Sequence, residues 1–190
     1  KEHFNAHFGE RGKAAHMAWK QLLTTYRSQY PDLAEQIEYM QDRRLPPDWD
    51  ADLPAFPPDA NGLATRESSG TVLNAIASKV PWMLGGAADL APSTKTELKG
   101  ALSGDFQAPA LPTDHERSYR GRNLHFGLRE HAMCAISNGM SLSKLRPYAA
   151  SFLVFTDYCR GALRLSAMME IPIIYIWTHD SISLGEDGQT

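Results

Sequence analysis

Apolar residues recur along this chain with two different periods, and the alternation between them predicts its elements. Over residues 10–29, Ala14, Met17, Ala18, Leu22 and Tyr26 return at helical spacing with charges between them, which predicts an amphipathic helix. Pro31 opens a second helix from its favoured first-turn position, with Leu33, Ile37 and Met40 along one face. The pattern breaks over residues 44–64, where Pro46, Pro47, Pro54, Pro57 and Pro58 stand among aspartates. That composition suits neither a helix nor an inner strand and predicts a linker. A helix is predicted over 66–80, capped by Thr65, followed by a short buried strand over 82–86. Residues 92–122 read as loop. A brief strand over 123–126, a helix over 128–142, a strand over 147–151 and a helix over 152–168 follow. The clearest strand is 171–177, IPIIYIW, which is apolar on both faces as parallel strands are.

This alternation predicts an α/β fold, a parallel sheet with flanking helices, preceded by a helical segment and a Pro-rich linker. Three regions follow: 1–43 as the helical tail of a preceding domain, 44–64 as the linker, and 65–190 as the main domain. The main domain reads as incomplete, because a doubly wound sheet needs more strands than this stretch supplies. The first residue is Lys1, so the natural start is expected upstream. The last predicted strand runs into THDSISLGEDGQT, and polar and glycine residues after a buried parallel strand are where such sheets place ligands.

Composition narrows the function classes. Of 190 residues, 43% are apolar and 22% charged, and the net charge of -3 gives no reason to expect nucleic acid or an anionic membrane as partner. No apolar run approaches the roughly 18 residues of a membrane span. Two lone cysteines, Cys134 and Cys159, make no disulfide framework, which points to a reducing compartment such as the cytoplasm. Three lures carry little. GGAADL is not a dinucleotide fingerprint and GEDGQT is not a phosphate loop. His3 and His7 share helical spacing but have no third metal ligand.

Four stretches, in order, carry the chemistry: TRESSG (65–70), GGAADLAPS (85–93), NLHFGLREHAM (123–133) and THDSISLGEDGQT (178–190). An aromatic cluster, Phe152, Phe155 and Tyr158, lies between the third and fourth at i, i+3, i+6 spacing. Arg66 falls in a first helical turn, where a cation opposes the dipole. An arginine there, beside free backbone N–H groups, suits an anion. Glu130 stands in sequence among Leu128, Met133 and Ile136; by itself it is also a favourable first-turn acid. Taken together the motifs resemble the transketolases over nearly the whole chain.

The resemblance implies a thiamine-diphosphate-binding, pyrimidine-type domain, and transfer of a two-carbon ketol unit from a ketose phosphate to an aldose phosphate, in the pentose phosphate pathway or Calvin cycle. It implies that Glu130 bonds the aminopyrimidine N1′ and activates the cofactor, and that Phe152, Phe155 and Tyr158 form the pocket for that ring. Asp89 and Leu90 match positions beside the cofactor. Arg66 and Ser93 match residues that grip the sugar phosphate. His179 and Asp187 match sugar contacts, with His179 also a candidate donor to a developing oxyanion. The metal, Mg2+ or Ca2+, and the diphosphate are expected on ligands outside this chain, and the partner is expected to be a second copy, with the active site at a homodimer interface. A chain carrying one half-site is expected not to catalyse alone. The 99–122 segment is longer than in familiar bacterial members and carries Arg117, Arg120 and Arg122. Two alternatives remain at this stage, a dihydroxyacetone synthase-like ketol transfer and a non-catalytic transketolase-like subunit.

Overall fold

The structure is a computed structural model that describes residues 1–100, 103–108 and 117–181. It divides into two units, Lys1–Leu45 and Pro46–Thr190. The first unit is helical. A short α1 (Glu2–Phe4) passes through a π-helical turn (Asn5–Gly9) into α2 (Glu10–Gln29), and α3 (Pro31–Gln41) packs back on α2. Pro31 takes the first helical position, and Arg27 pairs with Glu38 across the two helices at 2.8 Å. Met17 and Leu22 are exposed, so the packing of α3 leaves this part of the apolar stripe of α2 open.

In the second unit, residues 46–64 hold turns and no helix or strand. Lys79 ties this stretch to the end of α4 (Thr65–Lys79) through Asp48 at 3.2 Å and Asp52 at 3.0 Å. Thr65 is not a cap: it is the first helical residue, Ala64 precedes it, and no side chain bonds the helix start.

The sheet has six strands in the order β3-β2-β4-β1-β5-β6, every pairing parallel. They are β1 (Met83–Ala87), β2 (Asp105–Phe106), β3 (Arg117–Ser118), β4 (Asn123–His125), β5 (Arg146–Phe152) and β6 (Ile174–Thr178). Flanking helices are α4, the short α5 (Ala91–Thr94), α6 (Glu130–Leu142) and α7 (Arg160–Met168). The predicted α/β class therefore holds, and the core packs α6 and α7 against the sheet through Met133, Cys134, Ala149 and Ala162.

The strand expected over 171–177 runs from Ile174 to Thr178, and element boundaries differ further in three places. Helix α6 starts at Glu130 rather than Leu128, because Gly127 is left-handed and Arg129 (φ -145, ψ 61) is non-helical. Residues 152–168 are not one helix. Phe152 still pairs with Thr178 in the sheet, a 3-10 helix spans Leu153–Tyr158, and α7 begins after Cys159. Within 92–122, α5 and two short strands add structure to the predicted loop.

Asn123 is one of the side chains that hold that segment to the sheet. Asn123 is buried at the start of β4; its Oδ1 accepts from Leu98 N–H, and its Nδ2 donates to the carbonyls of Leu98 and Ser103, each at 2.9 Å. Buried Tyr148 adds a bond to the Thr96 carbonyl at 2.9 Å. Arg122 donates to the carbonyls of Ala77 (2.9 Å), Val80 and Met83 (both 3.4 Å), so it locks the α4–β1 turn. Asn123→Ala removes the side-chain partners of the Leu98 N–H and carbonyl, while the Ser103 carbonyl keeps the Arg122 N–H, and is expected to cost about 2 kcal/mol. Equilibrium denaturation of wild type against variant measures this; a change below about 0.5 kcal/mol would mean water replaces the amide.

Candidate active site

Parallel strands place ligands beyond their carboxyl ends, and three strand ends here carry the residues singled out from sequence. β1 runs out to Asp89, β5 to Phe152 and β6 to His179, while α6 enters from β4 with Glu130 as its first residue. Both Asp89 (φ 62) and His179 (φ 54) are left-handed without being glycine. Such conformations are costly and persist where the surroundings hold them, often at functional sites.

Glu130 is buried, 9% exposed, although its helix begins there. The burial does not come from the neighbours the sequence suggested. Leu128 is 77% exposed and Ile136 48%, while Met133 is fully covered. Glu130 is covered instead from β5, where buried Ser151 donates to its Oε1 at 3.4 Å. Its open side meets a cleft of about 410 Å³ lined by Leu128, Arg129, His131, Phe155 and Tyr158.

The aromatic residues form a ladder, for a reason other than the α-helical spacing expected. A 3-10 turn has three residues, so positions i and i+3 eclipse. Phe155 accordingly stacks on Phe152 at 5.9 Å with 11° between planes, and on Tyr158 at 6.0 Å with 28°. Tyr158 is 68% exposed and stands at the outer rim. A buried acid beside a ladder of rings suits a flat nitrogen heterocycle, which stacks on the rings while an edge nitrogen meets the carboxyl.

A second cluster joins the first through Phe152. The His179 ring lies 3.7 Å from that of Phe152, and Arg66 Nη1 donates to His179 Nε2 at 3.1 Å. Arg66 Nε is buried with no hydrogen-bond partner among the described residues, an orphan donor that an anion would satisfy. Ser93 sits on α5, which packs against β5 and β6, and shares no hydrogen bond with Arg66. Asp89 is exposed and lines a separate cleft of about 290 Å³ with Asn123 and His125, and Leu90 caps α5. Asp187 lies outside the described residues.

Cys134 and Cys159 are both buried in the core behind Glu130. Burial pushes both thiols up, and the Glu130 charge adds to it, so they are held as thiols rather than nucleophilic thiolates. Among the described residues no three His, Cys, Asp or Glu side chains converge as a metal site would need. No described helix is long and apolar enough to cross a membrane.

A family model described as "Transketolase, pyrimidine binding domain" matches residues 61–190. The chain belongs to this family. Its similarity to curated transketolases extends further towards the N-terminus. The chain is 47% identical to the transketolase of Mycobacterium tuberculosis over 182 residues, which is 95% of this chain and 26% of the relative. It is 45% identical to that of Bacillus subtilis over 190 residues, 100% of this chain and 27% of the relative. It superposes on the crystal structure of Pichia stipitis transketolase in complex with sedoheptulose 7-phosphate with a TM-score of 0.88 at 42% identity, covering 98% of this chain and 27% of that one. The chain thus spans about a quarter of the length of these transketolases.

Two residues of this transketolase domain escaped the sequence reading, Ser151 and Thr178. Each is a buried polar residue at the end of a strand. Ser151 is the one aliphatic hydroxyl in the PYAASF run, and a small uncharged polar group inside a doubly covered strand is the signal that could have found it.

Proposed function

We propose that this domain supplies the cofactor-activating half-site of a transketolase that moves a two-carbon ketol unit from a ketose phosphate to an aldose phosphate. The observation that carries this reading is buried Glu130 at the foot of the Phe152–Phe155–Tyr158 ladder. Thiamine diphosphate, when bound, supplies the covalent chemistry of ketol transfer. This chain's residues supply the rest. Phe155 and Tyr158 stack on the aminopyrimidine, and Glu130 holds a proton at N1′, in a pocket dry enough to strengthen that bond. Ser151 keeps the carboxyl pointed at the ring edge. Asp89 and Leu90 border the cofactor from the β1 side.

Arg66 takes the phosphate of the sugar, and its orphan Nε is the donor that gains most. Ser93, His179 and Asp187 line the sugar's path. We assign the diphosphate, its Mg2+ or Ca2+ and the complementary half-site to a second copy of the enzyme across a homodimer interface. Two reduced thiols suit the cytoplasm.

The test is a ketol-transfer assay of the complete enzyme with a ketose phosphate donor and an aldose phosphate acceptor. Cofactor-dependent transfer supports the reading, and its absence with the cofactor bound overturns it. In the same assay, Arg66→Met is expected to raise KM for the phosphorylated donor about 10–100-fold, the loss of one charged hydrogen-bonding group. KM for the dephosphorylated ketose should move little. An equal rise for both donors would remove Arg66 from the phosphate site.

A further inference from the structure

Two thiols that the proposed chemistry does not use lie together behind Glu130. Cys134 is one turn past Glu130 on α6, and Cys159 directly follows Tyr158. Both are fully buried in one core cluster with Met133, Ala149 and Ala162. Cys159 is the single residue between the 3-10 helix and α7, and it caps the N-terminus of α7. Its Sγ lies 3.4 Å from the Thr156 carbonyl and 3.8 Å from that of Phe155. Burial is the largest influence on either thiol and opposes the ionisation of both. Their influence on each other is not symmetric. The Cys134 side chain eases the ionisation of Cys159, while the Cys159 side chain opposes that of Cys134. A hydrogen bond donated by Cys134 to the Cys159 sulfur has this effect. The pair thus holds one sulfur suited to attack first and a second at hand to follow it.

We propose that Cys134 and Cys159 form a modification site: a hydroperoxide oxidises them to a disulfide that ties α6 to the start of α7 and lowers turnover until it is reduced. The Cys159 sulfur attacks one peroxide oxygen, the O–O bond breaks, and a sulfenic acid forms as the first water leaves. The Cys134 sulfur then attacks the Cys159 sulfur. The S–S bond forms, the S–O bond breaks, and the second water carries away the Cys134 proton. The two thiols give up two electrons in all, and hydrogen peroxide is reduced to water. Burial makes the reaction slow, so the site answers an excess of peroxide, admitted by local opening at the junction of the 3-10 helix and α7. The cross-link acts on the proposed site from behind. Glu130 is one turn ahead of Cys134, and Tyr158 adjoins Cys159, so drawing the sulfurs to bonding distance alters the spacing of acid and rings. The disulfide half of this proposal stands on the packing of the pair; the effect on turnover rests on the function proposed above.

The experiment exposes the complete enzyme to hydrogen peroxide as wild type, Cys134→Ala and Cys159→Ala, and then blocks the remaining thiols. Each sample is divided between unreduced peptide mapping by mass spectrometry and a ketol-transfer assay before and after a dithiol reductant. Oxidised wild type should yield a linked peptide pair holding Cys134 and Cys159, two hydrogens lighter than the separate peptides. Its turnover should fall about tenfold or more and return with the reductant. Each alanine variant should start near wild-type turnover, form no such link and resist the reversible loss. Absence of the linked pair from oxidised wild type overturns the proposal. So does an equal reversible loss in the alanine variants, which would place the sensitive group elsewhere. The wild-type peptide map alone decides the disulfide if an alanine variant does not fold, and a linked enzyme with unchanged turnover overturns the effect on activity. If the link forms but the enzyme transfers no ketol group even before oxidation, the proposed function fails and the dithiol site stands.

Discussion

Glu130→Gln in the complete enzyme is expected to lower kcat by about 10²–10⁴-fold, the range a positioned proton-transfer group contributes. The substitution isolates one property. Glutamine has the same shape as glutamate, so the cavity beside Phe155 and the contact with Ser151 should survive. An amide still accepts through its oxygen, yet it cannot hold and exchange a proton with a ring nitrogen as a carboxyl does. Most cofactor binding should therefore persist while turnover falls, the signature of an interaction needed for chemistry rather than for docking. Cofactor titration followed by single-donor kinetics separates the two. A kcat within about threefold of wild type at saturating cofactor would sink the assignment of Glu130. Glu130→Ala is a poorer probe, because it opens a cavity beside Met133 as well.

The largest effect on stability is expected at Gly86. β1 is the strand between β4 and β5, and Gly86 pairs with Leu124 on one side and Ala149 on the other. A Cβ at Gly86 would collide with the Leu124 carbonyl, and one at the neighbouring Gly85 with the Tyr148 carbonyl. Neither neighbour is the loose end of a side chain; each is backbone held in a ladder. Gly86→Ala must push β4 away from β1, at an expected cost above about 3 kcal/mol, beyond the usual range for overpacking. Loss of soluble protein, or a large drop in the denaturation midpoint, is the expected result. A variant that melts within about 2 °C of wild type would show that the strands separate freely. Because β1 carries Asp89 and β4 leads to Glu130, the same shift would also move the two banks of the site apart.

Much of this was legible from residue order. The apolar run of 171–177 overlaps β6, the glycine pair marks a central strand, and the GLREHAM stretch marks the entry to α6. What misled was local inference about side-chain surroundings. Leu128 and Ile136 are close to Glu130 in sequence yet exposed, while Ser151, twenty-one residues away, is its hydrogen-bond partner. The aromatic trio has i, i+3, i+6 spacing in either helix type, but the planes align because the turn is 3-10. Arg122, one of three arginines in an apparently open loop, turned out to spend its guanidinium on backbone carbonyls at the α4–β1 turn.

Residue order by itself determined the α/β class and most of the succession of helices and strands, and singled out the acid, rings and cations proposed for the site, because these follow from periodicity and from motifs contiguous in the chain. Tertiary structure alone decided how deeply Glu130 is buried and which groups Arg66 and His179 face. Those properties arise where β5 and β6 lie side by side, with Phe152 opposite Thr178, and where α4 returns a residue 113 positions distant to the ring it meets. Burial and hydrogen bonding depend on such through-space neighbours, and no window read along a single strand contains them.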